Sequence, residues 1–215
     1  MIDSVRQILQ SQQPGQVLCR MFAENAVPPL TFLADADDIT AGPVAYHSGS
    51  VLTHMARVMD EVAAATNGDP LAIWMAFVHD AGKLTSPRAM LPHHYGHELR
   101  GEQIAEIWGK EAMAGDIYTR AGIFAAYNHM KAGRYNLLQT RKKLRFLLDV
   151  AATGWMGQFW ALASADSKSN VGQVALLHWK SISHLAEGMT SRDIPDRTRH
   201  ECLKILATQV KELDP

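Results

Sequence analysis

Apolar residues recur three and four positions apart along almost the whole chain, and no segment alternates apolar and polar residues convincingly. That pattern constrains the fold more than any other feature, because a half-buried strand needs a period of two and a buried helix face a period near 3.6. Val51, His54, Met55, Val58 and Val62 mark one face of a helix. Asp69-Pro70 opens another, with Asp suited to capping and Pro to the first turn. It runs through Leu71, Trp74, Met75 and Val78, with Gly82 offering a stop. A loop rich in Pro, Gly and His covers 86–96, followed by an amphipathic stretch with Leu99, Ile104, Ile107 and Trp108. Further helices are expected at 115–130, 141–152, 155–168, 172–187 and 198–213, with two short ones in the first 26 residues. No repeat, low-complexity tract or long linker divides the chain. The expectation is an all-α fold: a single helical domain over 1–215, with a core of about five helices and flanking helices.

With 215 residues, 47% of them apolar, the chain can bury one generous core. Its two cysteines, Cys19 and Cys202, follow no ligand spacing and suit a reducing compartment. The opening MIDSVRQILQ has no apolar signal core, and the longest uncharged apolar run, Leu71 to Val78, is far short of a membrane span. A cytoplasmic protein without membrane contact is expected. The formal charge of −1 excludes a globally basic nucleic-acid binder, although not a local basic patch. Ten histidines are unusual, and five of them fall between His54 and His97.

Several polar groups interrupt apolar faces. Asp166 continues the stripe of Trp155, Phe159, Leu162 and Ala163, His54 sits within its own helix stripe, and His79-Asp80 ends a strongly apolar run. An unpaired buried carboxylate costs several kcal/mol, so such groups need partners or a cation. Each alone reads best as a hydrogen-bonded core residue. Three helices each aiming His or Asp inward favour a shared divalent cation instead.

The order His54, then His79-Asp80, then a distant Asp166 carries a family resemblance. The segment HDAGKLTSP (His79 to Pro87) resembles the signature of the HD metal-dependent phosphohydrolase superfamily. Together with YHSGSVLTHMARVMDEV (Tyr46 to Val62), LPHHYGHELRG (Leu91 to Gly101) and SADSKSN (Ser164 to Asn170), it is most similar to the HD domain of bacterial CCA-adding tRNA nucleotidyltransferases. The likeness covers roughly residues 16–170. No Gly-Ser followed by a paired-Asp strand motif precedes Tyr46, so the tRNA-building activity is not expected to carry over. The resemblance implies a free-standing relative of the accessory hydrolase domain.

By that resemblance His54, His79, Asp80 and Asp166 bind a first metal, and His97 and His129 hold a second with Asp80 bridging. The cofactor is then one or two divalent ions. Imidazole-rich ligation suits Mn, Fe, Co, Ni or Zn better than Mg. Lys83 is close enough to the ligands to pair with a phosphate oxygen, or else simply suits a helix C-terminus. His93 and His94, in the adjacent loop, are candidates for donating to substrate or acting as general acid; solvated loop histidines are the plain alternative. His47 is a weaker candidate for lining the pocket. The run Arg141, Lys142, Lys143, Arg145 reads more readily as a solvated basic face than as an RNA contact. Tyr127, Tyr135 and Trp155 read as core rather than base-stacking platforms.

The leading expectation is a phosphomonoesterase or phosphodiesterase acting on nucleotides or related small phosphate esters, with RNA a less favoured partner. Two alternatives stay open: a di-iron oxygenase using the same six ligands, and a non-catalytic domain that binds a nucleotide or RNA end.

Overall fold

The computed structural model describes residues 1–44 and 49–213, with side chains to residue 210. Ten α-helices and no strand occur among them; the only extended pairing is an isolated antiparallel bridge between Thr40 and Ser50. The all-α expectation is met. Among the described residues no helix is long and apolar enough to cross a membrane. The chain, expected as one domain, groups into two compact units, 1–130 and 131–215, the boundary falling in the last turn of one helix.

The first unit contains α1 (Asp3–Leu9), α2 (Pro14–Ala23), α3 (Val51–Ala65), α4 (Pro70–Val78), α5 (His97–Glu111) and most of α6 (Asp116–Gly133). Its centre is α4, in which every residue from Ala72 to Val78 is fully buried. A helix apolar all round can only be a core helix, and α1, α3 and α5 pack against it. The start of α4 is as expected: Pro70 occupies the first turn, and the Asp69 carboxylate accepts from the amides of Leu71 (2.8 Å) and Ala72 (3.2 Å). Trp74 and Trp108 are buried, but each indole N–H finds a carbonyl, of Tyr118 (2.7 Å) and Thr31 (2.8 Å) respectively.

Two helices of this unit bury a different face from the one their large apolar residues suggest. In α5, Leu99 and Ile107 are exposed, whereas His97, Gly101, Ile104, Ala105 and Trp108 are buried. In α6, Ile117 and Tyr127 are exposed, and Ala121, Ala125, Ala126 and His129 face inward. Small residues win these positions because the backbones pass so close. A Cβ on Gly82 would lie 2.0 Å from the His97 carbonyl oxygen, and one on Gly101 would lie 3.1 Å from the Ala126 methyl. Gly82 therefore does not stop α4, which ends at Val78; it lets the single-turn 3-10 helix Ala81–Thr85 lie directly against the start of α5.

The second unit holds the end of α6, a 3-10 turn at Tyr135–Leu137, α7 (Thr140–Ala151), α8 (Met156–Ser167), α9 (Val171–Ala186) and α10 (Asp196–Leu213). Its core is aromatic. Tyr135, Phe146, Phe159 and Trp160 are buried, with edge-to-face pairs at centroid separations of 5.1 Å (Tyr135–Trp160) and 5.5 Å (Phe146–Trp160). Tyr135 is core, as expected, and its hydroxyl shares a hydrogen bond with His178 Nδ1 at 2.8 Å. The basic run is divided by the helix period: Lys143 is buried, while Arg141, Lys142 and Arg145 are exposed.

Candidate metal centre

Four histidines and one aspartate of the first unit converge. His54 comes from the middle of α3, whose N-cap Ser50 hydroxyl accepts from the Thr53 amide at 3.2 Å. His79 caps α4, and Asp80 leads into the 3-10 turn. His97 is the first residue of α5, after Gly96, whose φ of +70° favours glycine there. His129 lies near the end of α6. All five side chains are buried.

Three of the imidazoles are oriented by their own chain. Nδ1 lies 2.7 Å from the Ala76 carbonyl in His79, 2.8 Å from the His94 carbonyl in His97, and 2.8 Å from the Ala126 carbonyl in His129. A carbonyl oxygen only accepts, so the proton of each neutral ring sits on Nδ1 and the lone pair on Nε2. Those Nε2 atoms point at Asp80. Its Oδ2 lies 2.9 Å from His54 Nε2 and 3.4 Å from His79 Nε2; its Oδ1 lies 3.3 Å from His97 Nε2 and 3.4 Å from His129 Nε2. The carboxylate is thus shared, one oxygen to each pair of histidines.

Such an arrangement is poor as a hydrogen-bond network. His97 Nε2 and His129 Nε2 are 3.0 Å apart with both lone pairs exposed to each other, and Asp80 Oδ1 faces those same two lone pairs with no hydrogen bond of good geometry. Orphaned lone pairs in a buried site cost 1 to 3 kcal/mol or more each, roughly. A cation removes the conflict. The candidate ligand atoms of His54, His79 and Asp80 lie within 4.8 Å of one another, as do those of Asp80, His97 and His129. That spacing admits an ion ~2.0–2.2 Å from each donor, and a backbone carbonyl on the second imidazole nitrogen is the usual partner of a metal-ligating histidine. The donor set could hold a metal ion.

Lys83 is buried, and its Nζ lies 2.7 Å from Asp80 Oδ2. Burial works to raise the Asp80 pKa, but the Lys83 ammonium, then His79, His129 and His54, outweigh it and hold the carboxyl well below the usual range. Asp80 is therefore an anion, as a ligand must be.

The loop histidines differ from each other. His94 is buried and uses both ring nitrogens, Nδ1 with the Ser86 hydroxyl (2.7 Å) and Nε2 with the Thr40 carbonyl (2.8 Å). Burial pushes its pKa down. It ties the loop across the site rather than offering a free nitrogen to a substrate. His93 is exposed and stacks on Tyr95, with centroids 5.3 Å apart. Arg100 completes the tie by donating to Thr85 Oγ1, the Tyr95 carbonyl and Ser86 Oγ. Sequence reasoning missed Thr40, Ser86 and Arg100, because their partners lie at a distance in the chain and no motif marks them. His47 lies outside the described residues.

Asp166 belongs to the second unit. It follows Phe159, Leu162 and Ala163 on one stripe of α8 and is half-buried, whereas those three are fully covered.

Several curated proteins named Multifunctional CCA protein are similar to this chain. One from Chromobacterium violaceum is 34% identical over 124 residues, 55% of this chain and 30% of that protein. One from an Azoarcus species is 42% identical over 52 residues, 24% of this chain and 12% of that protein. One from Xylella fastidiosa is 32% identical over 85 residues, 40% of this chain and 20% of that protein. The chain thus matches less than a third of the length of each. No family model matches, and no solved structure matches.

Proposed function

We propose that this chain is a metal-dependent phosphohydrolase of the HD type, acting on nucleotides or related small phosphate esters in the cytoplasm. The observation that carries the reading is the sharing of the Asp80 carboxylate between two pairs of imidazole Nε2 atoms. His54, His79 and Asp80 would hold one ion, with Asp166 as a further ligand on sequence grounds, and Asp80, His97 and His129 would hold a second. A divalent cation at such a centre lowers the pKa of water to near neutrality and offsets phosphate charge.

The protein's own groups supply the rest. The carbonyls of Ala76, His94 and Ala126 keep each Nε2 lone pair inward, so the ligands stay fixed as charge develops on the substrate. Among the described residues Lys83 brings its ammonium to Asp80, and from there it would pair with an incoming phosphate oxygen. Among Lys83, His93 and His94, it is the best placed to touch substrate. His93, exposed on the same loop, is the candidate donor to a leaving group, and His94 positions that loop. A small ester is favoured over a long RNA because the net charge is −1 and a polynucleotide needs several phosphate contacts.

The test is a panel of phosphomonoester, cyclic phosphodiester and nucleotide substrates assayed with Mn, Co, Ni, Zn and Mg, alongside metal analysis of the purified protein. Metal-dependent turnover of a small ester, lost on chelation, is expected. A yellow, iron-rich, oxygen-consuming sample would replace the reading with a di-iron oxygenase. A metal-bound protein inert to every ester would replace it with a binding module.

A further inference from the structure

The second unit contains a groove of about 520 Å³ between α7 and α10 that plays no part in the proposed chemistry. Both helices present the same register to it. Arg141, Leu144, Arg145 and Leu148 stand at i, i+3, i+4 and i+7 of α7, and Asp196, Arg199, His200 and Leu203 stand at the same steps of α10. The loop before α10 closes one end with Ser191, Arg192 and Ile194. The result is an aliphatic floor of Leu144, Leu148, Ile194 and Leu203 beneath a rim carrying four arginines and a single carboxylate.

The carboxylate does not neutralise that rim. Asp196 is taken by Arg199 at 3.0 Å, and the same guanidinium donates to the Ile194 carbonyl at 3.1 Å, which fixes it in place. Arg145 makes only a long contact with Asp149, at 3.9 Å. Arg141 and Arg192 have no ion pair among the described residues. Arg141 also sits in the first turn of α7, a turn with three basic residues, no acidic one and no side-chain cap. A helix start carries partial positive charge and normally attracts acidic residues. Arg141 at that helix start, together with Arg192 from the loop before α10, leaves a positive potential that an external anion can answer.

We infer that this groove binds a nucleoside phosphate, with its phosphate on Arg141 and Arg192 and its base on the aliphatic floor. Guanidinium forks match phosphate oxygens two at a time and also stack on planar rings. The groove falls within the ~300–1,000 Å³ usual for small-ligand sites, and an apolar floor with a few convergent polar groups is their usual lining. Ser191 and His200 supply hydrogen-bonding groups at the edge. The groove shares no residue with the His/Asp cluster, and the assignment stands whether or not that cluster hydrolyses esters.

The test is calorimetric titration of the full chain with AMP in the presence of a chelator, so that the metal centre takes no part. Saturable binding is expected. It should weaken about tenfold or more in Arg141→Ala/Arg192→Ala, each lost contact being to a charged group, and metal-dependent ester hydrolysis should stay unchanged in that variant. Adenosine and inorganic phosphate should each bind more weakly than AMP. A 5′-phosphorylated RNA oligonucleotide that displaces AMP would identify the ligand as a strand end; one that does not would identify it as a free nucleotide. Absence of AMP binding, binding unaltered in the double variant, or inorganic phosphate binding as tightly as AMP would overturn the assignment.

Discussion

Replacing Gly82 by alanine sets a methyl group 2.0 Å from the His97 carbonyl oxygen and 2.5 Å from the Gly101 amide nitrogen. Both are backbone atoms of α5, so no side-chain rotation relieves the clash. The 3-10 turn and the helix must separate by about 1 Å or more to reach normal packing distance. Asp80 lies just before this turn, and His97 is the first residue of the helix it presses against. Ligand distances tolerate only about ±0.2 Å, so a shift of that size removes His97 from coordination. His54 and His79 lie on neither side of that gap. The expected result is selective loss of the ion held by Asp80, His97 and His129, with activity down on the order of 100-fold. Overpacking of this kind costs about 1–3 kcal/mol, and each kcal/mol lowers Tm by about 2–4 °C in a chain of this size. Metal stoichiometry, turnover and thermal unfolding of the variant measure all three. Gly157→Ala is the control, since a Cβ there meets nothing within 4 Å. Full metal content and activity in Gly82→Ala, or equal losses in the control, would refute the reasoning.

Asp80→Asn should abolish both metal retention and turnover, because one carboxylate serves both groups of histidines; metal analysis after dialysis reads the first and the ester assay the second. Lys83→Met should lose roughly 10–100-fold in kcat/KM toward phosphate esters, the worth of one hydrogen bond to a charged group, and should hold its metal more weakly as well, because the Lys83 ammonium is the leading influence that keeps Asp80 ionised. For His94, burial depresses the folded pKa below 6.5, so as pH falls the unfolded chain takes up its proton first. The stability it contributes is complete above about pH 6.5 and drains away as pH drops toward the folded value. In chelator, denaturant titrations near pH 7.5 and about pH 5.5 should show a smaller acid loss for His94→Gln than for the parent protein.

What could be read from the chain depended on how local the cause was. The α3 stripe and the Asp69-Pro70 start of α4 follow from residues within a few positions of each other, and both stand in the structure. His54 in its apolar stripe and His79-Asp80 at the end of an apolar run are conspicuous because burial without a partner is costly, whereas His97 and His129 are marked only by the family resemblance; the structure gathers all four histidines around Asp80. The buried faces of α5 and α6 were not legible. Large apolar residues such as Ile117 and Tyr127 suggested one face, whereas close helix contact selected Ala125, Ala126 and Gly101 on another. Nothing in the chain near His94 marks Thr40, 54 residues away, as its partner. The basic run likewise changed meaning once α10 lay beside α7: the two free arginines of that groove come from segments 51 residues apart in number only, and each alone reads as ordinary surface.

The carbonyls behind His79, His97 and His129 have a consequence for which ions the proposed centre would accept. Each carbonyl is three residues back in the same stretch of chain, so the rings are aimed while the backbone folds, before any ion arrives. The entropy of ordering them is spent in folding, and capture proceeds against a rigid frame. A rigid frame discriminates by size and donor preference, because it cannot recruit extra oxygens for an ion that wants six to eight of them, as calcium does. Ions content with few nitrogen donors lose nothing by entering. The same stiffness makes the frame intolerant: an ion of the wrong radius meets unaltered distances rather than an adapting cage.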